Sequence, residues 1–186
     1  EYVTKCTPKS NLVNLRKFYT AGYARDAWDT LMDYGAFPAL YTPVADLCHT
    51  PAYQSYISSA MEWMDKWHDD GYLQDSDLAM AAILWPVVAD LDAEGIAKVL
   101  EAQSETIMLY EDIRQKYMAL FELEKCLSGS FTEEEAAEMV FQSQFENAYE
   151  LLLMRGETDR SLEDAIAFWT EARSLTMSDA EAVIAA

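Results

Sequence analysis

Three small groups of residues in this chain have types and spacings that could do chemistry. Asp75 and Asp77, one residue apart, have the spacing of a carboxylate pair that holds two metal ions for nucleotidyl transfer. Such a pair needs a strand to carry it and a glycine-rich turn beside it for the triphosphate, and neither is present near these residues. Both aspartates lie at the start of a helical run, where an acid favours the helix dipole, so capping is the expected role. His68-Asp69 resembles the pair of a metal phosphohydrolase, yet His49 is the only other histidine, too few imidazoles for such a site. Cys48-His49 are neighbours in sequence, whereas a nucleophile and its base usually meet in space. Cys6, Cys48 and Cys126 are odd in number and form no CxxC pair, which indicates neither zinc nor a disulfide framework and makes a reducing compartment, such as the cytoplasm, the default. The reading is no catalytic residue, no metal and no cofactor.

The elements that would position any site are helical. Leu12, Leu15, Phe18 and Tyr19 fall three or four apart and line one helix face, with Ser10 as its expected cap and Gly22 as its stop. Ala24, Trp28, Leu31 and Met32 form a second stripe that stops at Gly35, where a left-handed residue suits glycine. The two should pack as a hairpin. Phe37, Leu40 and Tyr41 with Pro38 and Pro43 predict a buried connector. Tyr56, Ile57, Ala60, Met61, Met64 and Trp67 give a third helix ending at Gly71. The run from Leu78 to Val88 is apolar on every side, so it belongs in a core, with Ser76 or Asp77 as cap. It is too short, and too interrupted by Pro86, to cross a bilayer, which takes about 20 apolar residues.

In that order these features resemble the C-terminal helical region of bacterial poly(A) polymerases, relatives of the tRNA CCA-adding nucleotidyltransferases. The resemblance rests on RKFYTAGYARDAWDTLMDYGAFPALYTP, WMDKWHDDG and the ILWP run, and more loosely on FENAYELLLMRGE, with Gly22, Gly35, Phe37, Pro43, Trp85 and Pro86 carrying most of it. It covers roughly residues 11 to 156. It implies a neck, body and tail that follow a catalytic head and guide RNA. No head is in this chain, which starts at Glu1 and not at methionine. A processed or truncated enzyme is one expectation, and a helical domain put to another use is the other.

The second half is patterned in the same way. A run from Glu101 to Leu127 keeps apolar residues at Ile107, Met108, Ile113, Tyr117, Leu120, Phe121 and Leu123, and SGS breaks it. Thr132 with Glu135 predicts a capping box. Phe145, Ala148, Tyr149, Leu152 and Leu153 make a stripe expected to stop at Gly156. Ser161 with Asp164 imitates another box, before Ile166, Phe168, Trp169 and Leu175, and SDAEAVIAA is a weak helix. No segment alternates as a strand would. The expectation is an all-α chain, an elongated array of about 7–9 helices without a sheet, divided into a neck and body at 1–127 and a tail at 128–186.

Charge limits what the resemblance can carry. The net charge is −20, with 33 acids against 13 bases; residues 1 to 60 balance, and residues 61 to 186 hold all of the excess. Affinity for nucleic acid comes mainly from Lys and Arg at phosphates, and the family's late helices are typically rich in both. Here LFELEKCLSGSFTEEEAAEMVFQSQFENAYE offers Lys125 alone among many glutamates, and no basic tail follows. Charge therefore disfavours RNA as a partner. Arg16, Lys17 and Arg25 are the candidate RNA contacts, with ordinary solvated charges on a helix face as the plainer account. Under the alternative, an acidic helical adaptor binding a basic protein, Tyr56, Trp63, Tyr110 and Tyr117 are the candidate interface aromatics, unless they simply fill the core. A salt-adapted surface would produce the same acidity with no partner at all.

Overall fold

A computed structural model of the chain describes residues 6–71 and 76–184, the side chains of residues 133 and 174–184 excepted. Among the described residues there are ten α-helices and no strand. The chain divides into two compact units at Met118 and Ala119, inside one helix. The expected boundary at 127 and 128 falls within the second unit.

In the first unit, α1 (Pro8–Tyr19) is capped by Thr7, whose side chain accepts the Ser10 N–H at 3.2 Å. Ser10 is thus inside the first turn and not the cap, because Pro8 takes the first helical position, where its missing N–H costs nothing. Helix α2 (Ala24–Asp33) has no cap of its own: Asp65, on α4 (Pro51–Asp69), accepts the N–H groups of Ala24 at 2.6 Å and Arg25 at 3.0 Å. Gly22, Gly35 and Gly71 all have positive φ, at 78°, 61° and 79°, and end helical segments where the spacing predicts. Between α2 and α4 the connector forms one helical turn, α3 (Phe37–Leu40), and a 3-10 turn over Thr42–Val44, with Phe37, Tyr41 and Val44 fully buried.

The connector is tied down from three directions. Tyr19 and Tyr41 share a hydroxyl hydrogen bond of 2.8 Å, and burial pushes both phenols far up, so both stay protonated. The Leu40 carbonyl accepts Thr106 Oγ1 at 2.6 Å and Gln103 Nε2 at 2.8 Å. Gln103 belongs to α6 (Ala93–Ser104), which Asp92 caps through the Gly95 N–H. The grip of Gln103 and Thr106 on Leu40 also places a turn at 105–110, so the run expected from Glu101 to Leu127 is broken before α7 (Glu111–Leu127) begins. The apolar α5 (Ser76–Val88) is buried from Asp77 to Trp85 and packs against α1, α4, α6 and the 3-10 turn.

The second unit is built by the end of α7, α8 (Glu133–Val140), α9 (Phe145–Gly156) and α10 (Glu163–Ile184). Both bonds of the Thr132 and Glu135 capping box are present. Trp169 is fully buried, donates its indole N–H to Leu127 O at 2.9 Å and packs on Phe131 and Phe145. Helix α9 ends at Gly156 as expected, and the glycine also allows closeness: a Cβ there would meet Ile166 Cδ1 of α10 at 2.2 Å. One expectation fails here: the Ser161 and Asp164 box does not form, because Asp159 accepts the Ser161 N–H at 3.0 Å and Oγ at 2.6 Å, folding Arg160–Leu162 into a 3-10 turn. No helix among the described residues is long and apolar enough to cross a membrane.

Gly22 and Gly35 separate two costs. A Cβ at Gly35 meets nothing, whereas one at Gly22 would lie 2.4 Å from His68 Nδ1. Gly35→Ala should therefore cost about 1 kcal/mol from backbone strain alone, and Gly22→Ala roughly 2–4 kcal/mol, because overpacking adds to it. Urea unfolding of the two variants checks the order; equal losses would contradict it.

Candidate functional site

The basic groups that the sequence offers to a partner are mostly occupied within the chain. Arg16 reaches from α1 to Asp77 on α5 at 2.8 Å, and Lys116 from α7 reaches the other oxygen of the same carboxylate at 3.2 Å. Asp77 is buried in the first turn of α5, the helix-start position that the sequence predicts for it, and there it also bridges these two cations. Asp75 lies outside the described residues. Arg25 pairs with Glu62 at 2.6 Å and Asp29 at 3.1 Å, contacts Ser58, and sits 5.3 Å from the Trp28 ring centroid. Burial opposes the charge of Arg25, but the pairs with Glu62 and Asp29 outweigh it and raise its pKa. Of the three expected RNA contacts only Lys17 is exposed, and Arg16 and Arg25, both half-buried, point to separate carboxylates.

The four candidate aromatics also separate. Tyr117 is fully buried in the core and Tyr56 is buried against α5, so neither presents a ring to a partner. Tyr56 has a backbone task. Pro86 has no N–H to give to the carbonyl four residues before it, Ala82, and Tyr56 Oη donates to that carbonyl at 3.1 Å. The phenol supplies the bond that proline withholds, which lets a proline sit inside a buried helix. Trp63 is half-buried with Lys66 Nζ 5.9 Å from its ring, and only Tyr110, 43% exposed, is open to solvent.

Arginines of the late half follow the same pattern. Arg114 pairs with Glu111, and Arg173 makes two contacts with Glu146, at 2.6 and 3.2 Å, while lying 5.3 Å from the Tyr149 ring. Arg155 pairs with Glu124, a fully buried carboxylate of α7 whose second oxygen has no hydrogen-bond partner. Burial dominates there and pushes the Glu124 pKa up to about 7 in spite of Arg155 and Lys125. Arg160 is exposed. Among the described residues no group of three or more His, Cys, Asp and Glu side chains converges as metal ligands would, and His68 lies 3.5 Å from Asp69 on a solvent-exposed helix end.

Two exposed helix faces stand out, neither identified by sequence reasoning. On α1, Lys9, Val13 and Lys17 repeat every four residues, flanked by Asn14 and Phe18; Val13 is 47% and Phe18 39% exposed, so Phe18 does not join the core face as its spacing suggested. The helix contains no acid. On α8, Glu134, Ala137, Glu138 and Phe141 form one stripe with no base, ending in Phe141 at 71% exposure. Their signal is in the sequence as a four-residue repeat, but an amphipathic pattern does not say which apolar residues at its margin are buried.

A family model described as polymerase A arginine-rich C-terminus matches residues 90–186, just over half of the chain. No curated protein matches it. The matched stretch contains four arginines, Arg114, Arg155, Arg160 and Arg173, and 22 acids against seven bases, so it departs from the composition that its description names.

Tyr56→Phe should cost about 1–2 kcal/mol by leaving the buried Ala82 carbonyl unmet, and Tyr110→Phe close to nothing; equal melting temperatures for the two would contradict the role given to Tyr56. Glu124 predicts a pH dependence. The folded chain holds its proton up to about pH 7 and the unfolded chain only to about 4.5, so this contribution is fully present below 4.5 and is lost as pH rises through 7. Denaturant midpoints should fall between pH 5 and 8 by an amount equivalent to at most about 3 kcal/mol. Glu135 and Asp159, whose pKa values are lowered, titrate below this window. Glu124→Gln should flatten the profile; an unchanged slope would overturn the assignment.

Proposed function

The chain belongs to the polymerase A arginine-rich C-terminus family, and from that premise we propose that it is a non-catalytic helical region of a poly(A) polymerase-like nucleotidyltransferase that works through protein contacts and not through a grip on RNA. The observation that carries this reading is the engagement of Arg114, Arg155 and Arg173 by Glu111, Glu124 and Glu146. A guanidinium held by a carboxylate releases no phosphate counterion, and the remaining excess of acids repels a polyanion over about a Debye length, roughly 8 Å at physiological salt. A reducing compartment is part of the reading, supported by free thiols at Cys6, Cys48 and Cys126. The family supplies the second reading, an RNA-guiding region, and the exposed Lys9 and Lys17 are the groups that favour it.

Binding of a short oligoadenylate at 50 and 200 mM salt separates the two. The protein-contact reading expects weak retention at 50 mM, and between the two salts a slope of log K against log salt no steeper than about −2, as two or three phosphate contacts would give. Tight binding with a steeper slope would establish the RNA reading in its place.

A further inference from the structure

The faces of α1 and α8 are opposites, and both are open to solvent. Lys9 and Lys17 lie eight residues apart, a rise of about 12 Å, with Val13 between them; Glu134 and Phe141 lie seven apart, about 10 Å, with Glu138 between them. Residues four apart share one line on a helix surface: Lys9, Val13 and Lys17 fall on one line of α1, whereas on α8 Glu134 and Glu138 share one line and Ala137 leads on the next to Phe141, which caps the helix. The basic face has no acid within it and the acidic face no base. Each carries apolar surface that its own unit leaves uncovered: Val13 and Phe18 on one, Phe141 on the other.

We propose that α1 of one chain docks on α8 of a second copy, with Lys9 and Lys17 meeting Glu134 and Glu138 around a contact of Val13 and Phe18 with Phe141. The inference rests on the protein-contact reading above and names its partner. Matching charge is what selects this occupant. Both faces belong to every copy, so each molecule carries the complement of the other. The apolar side chains supply the attraction and the charges set the register, as rim charges do in interfaces. Two chains of net charge −20 repel at a distance, but at 0.15 M salt that repulsion fades beyond about 8 Å, and a docked contact is decided by the groups facing each other. The contact is heterologous, joining different patches, so it either closes in a reciprocal pair or continues as a chain of copies.

Sedimentation velocity on the full chain at 0.15 M salt tests this. The unaltered protein should show concentration-dependent association to at least twice its 21.1 kDa mass. Lys9→Glu with Lys17→Glu, and separately Glu134→Lys with Glu138→Lys, should each remain monomeric, and Phe141→Ser should weaken association. An equimolar mixture of the two charge-reversed variants should associate again, since the reversed faces complement one another. All the substituted side chains are exposed, and circular dichroism checks that each variant keeps the helical fold. A monomeric unaltered protein, or a mixture that stays monomeric, would overturn the proposal. Loss of oligoadenylate retention in the lysine variant without any change of mass would also overturn it, and would assign the α1 face to RNA. The oligoadenylate assay on the unaltered chain distinguishes the two levels: absence of RNA binding in a monomeric chain refutes the second-copy partner and leaves the protein-contact reading standing.

Discussion

A carboxylate taken out of water has to be met by a cation or by hydrogen-bond donors, and this chain has far more acids than bases with which to meet that demand. Asp77 is buried and draws two cations, Arg16 and Lys116, from helices on either side of it in sequence. Glu124 is buried and draws Arg155, and Asp65 is satisfied by the first two N–H groups of α2. These contacts hold α1 and α7 to α5, α9 to α7, and α2 to α4. Arg16, Lys116 and Arg155 are in this way placed in the framework, while Lys9, Lys17 and Arg160 stay exposed, and the charge of the late half is mostly negative.

Local signals made much of the fold legible. Gly22, Gly35 and Gly71 mark positive φ because a helix end in the left-handed region favours a residue without Cβ, and the burial of α5 follows from its lack of a polar face. The Thr132 and Glu135 box needs only residues three apart. The failures are non-local. Asp65 caps a helix that starts 41 residues earlier, and Tyr56 serves a carbonyl 26 residues away because of a proline on another helix. Spacing shows that such residues lie on an inward face; it does not show what they meet there. The same limit applies to the site. Arg16 and Arg25 read as surface charge, and only the positions of Asp77, Glu62 and Asp29 reveal that they are engaged. Tyr117 had the pattern of the core and lies in it.

Family and composition part company in this protein, and the reason is physical. Core positions such as Leu152 and Trp169, inside the matched stretch, are constrained by packing. Surface charge is free to drift as long as buried acids keep partners, and it is surface charge that sets affinity for a polyanion. A fold can therefore persist while the surface composition that its family is named for changes, which is why function has to be argued from sites.

Whether the arginines of the family-matched half are held by carboxylates, and so withheld from RNA, can be read residue by residue. Nitrogen-15 NMR of the arginine side chains, recorded as oligoadenylate is added at low salt, reports each Nε–H separately. The account predicts that the resonances of Arg114, Arg155 and Arg173 do not move. A shift of Arg155 or Arg173 that saturates with added RNA would contradict it.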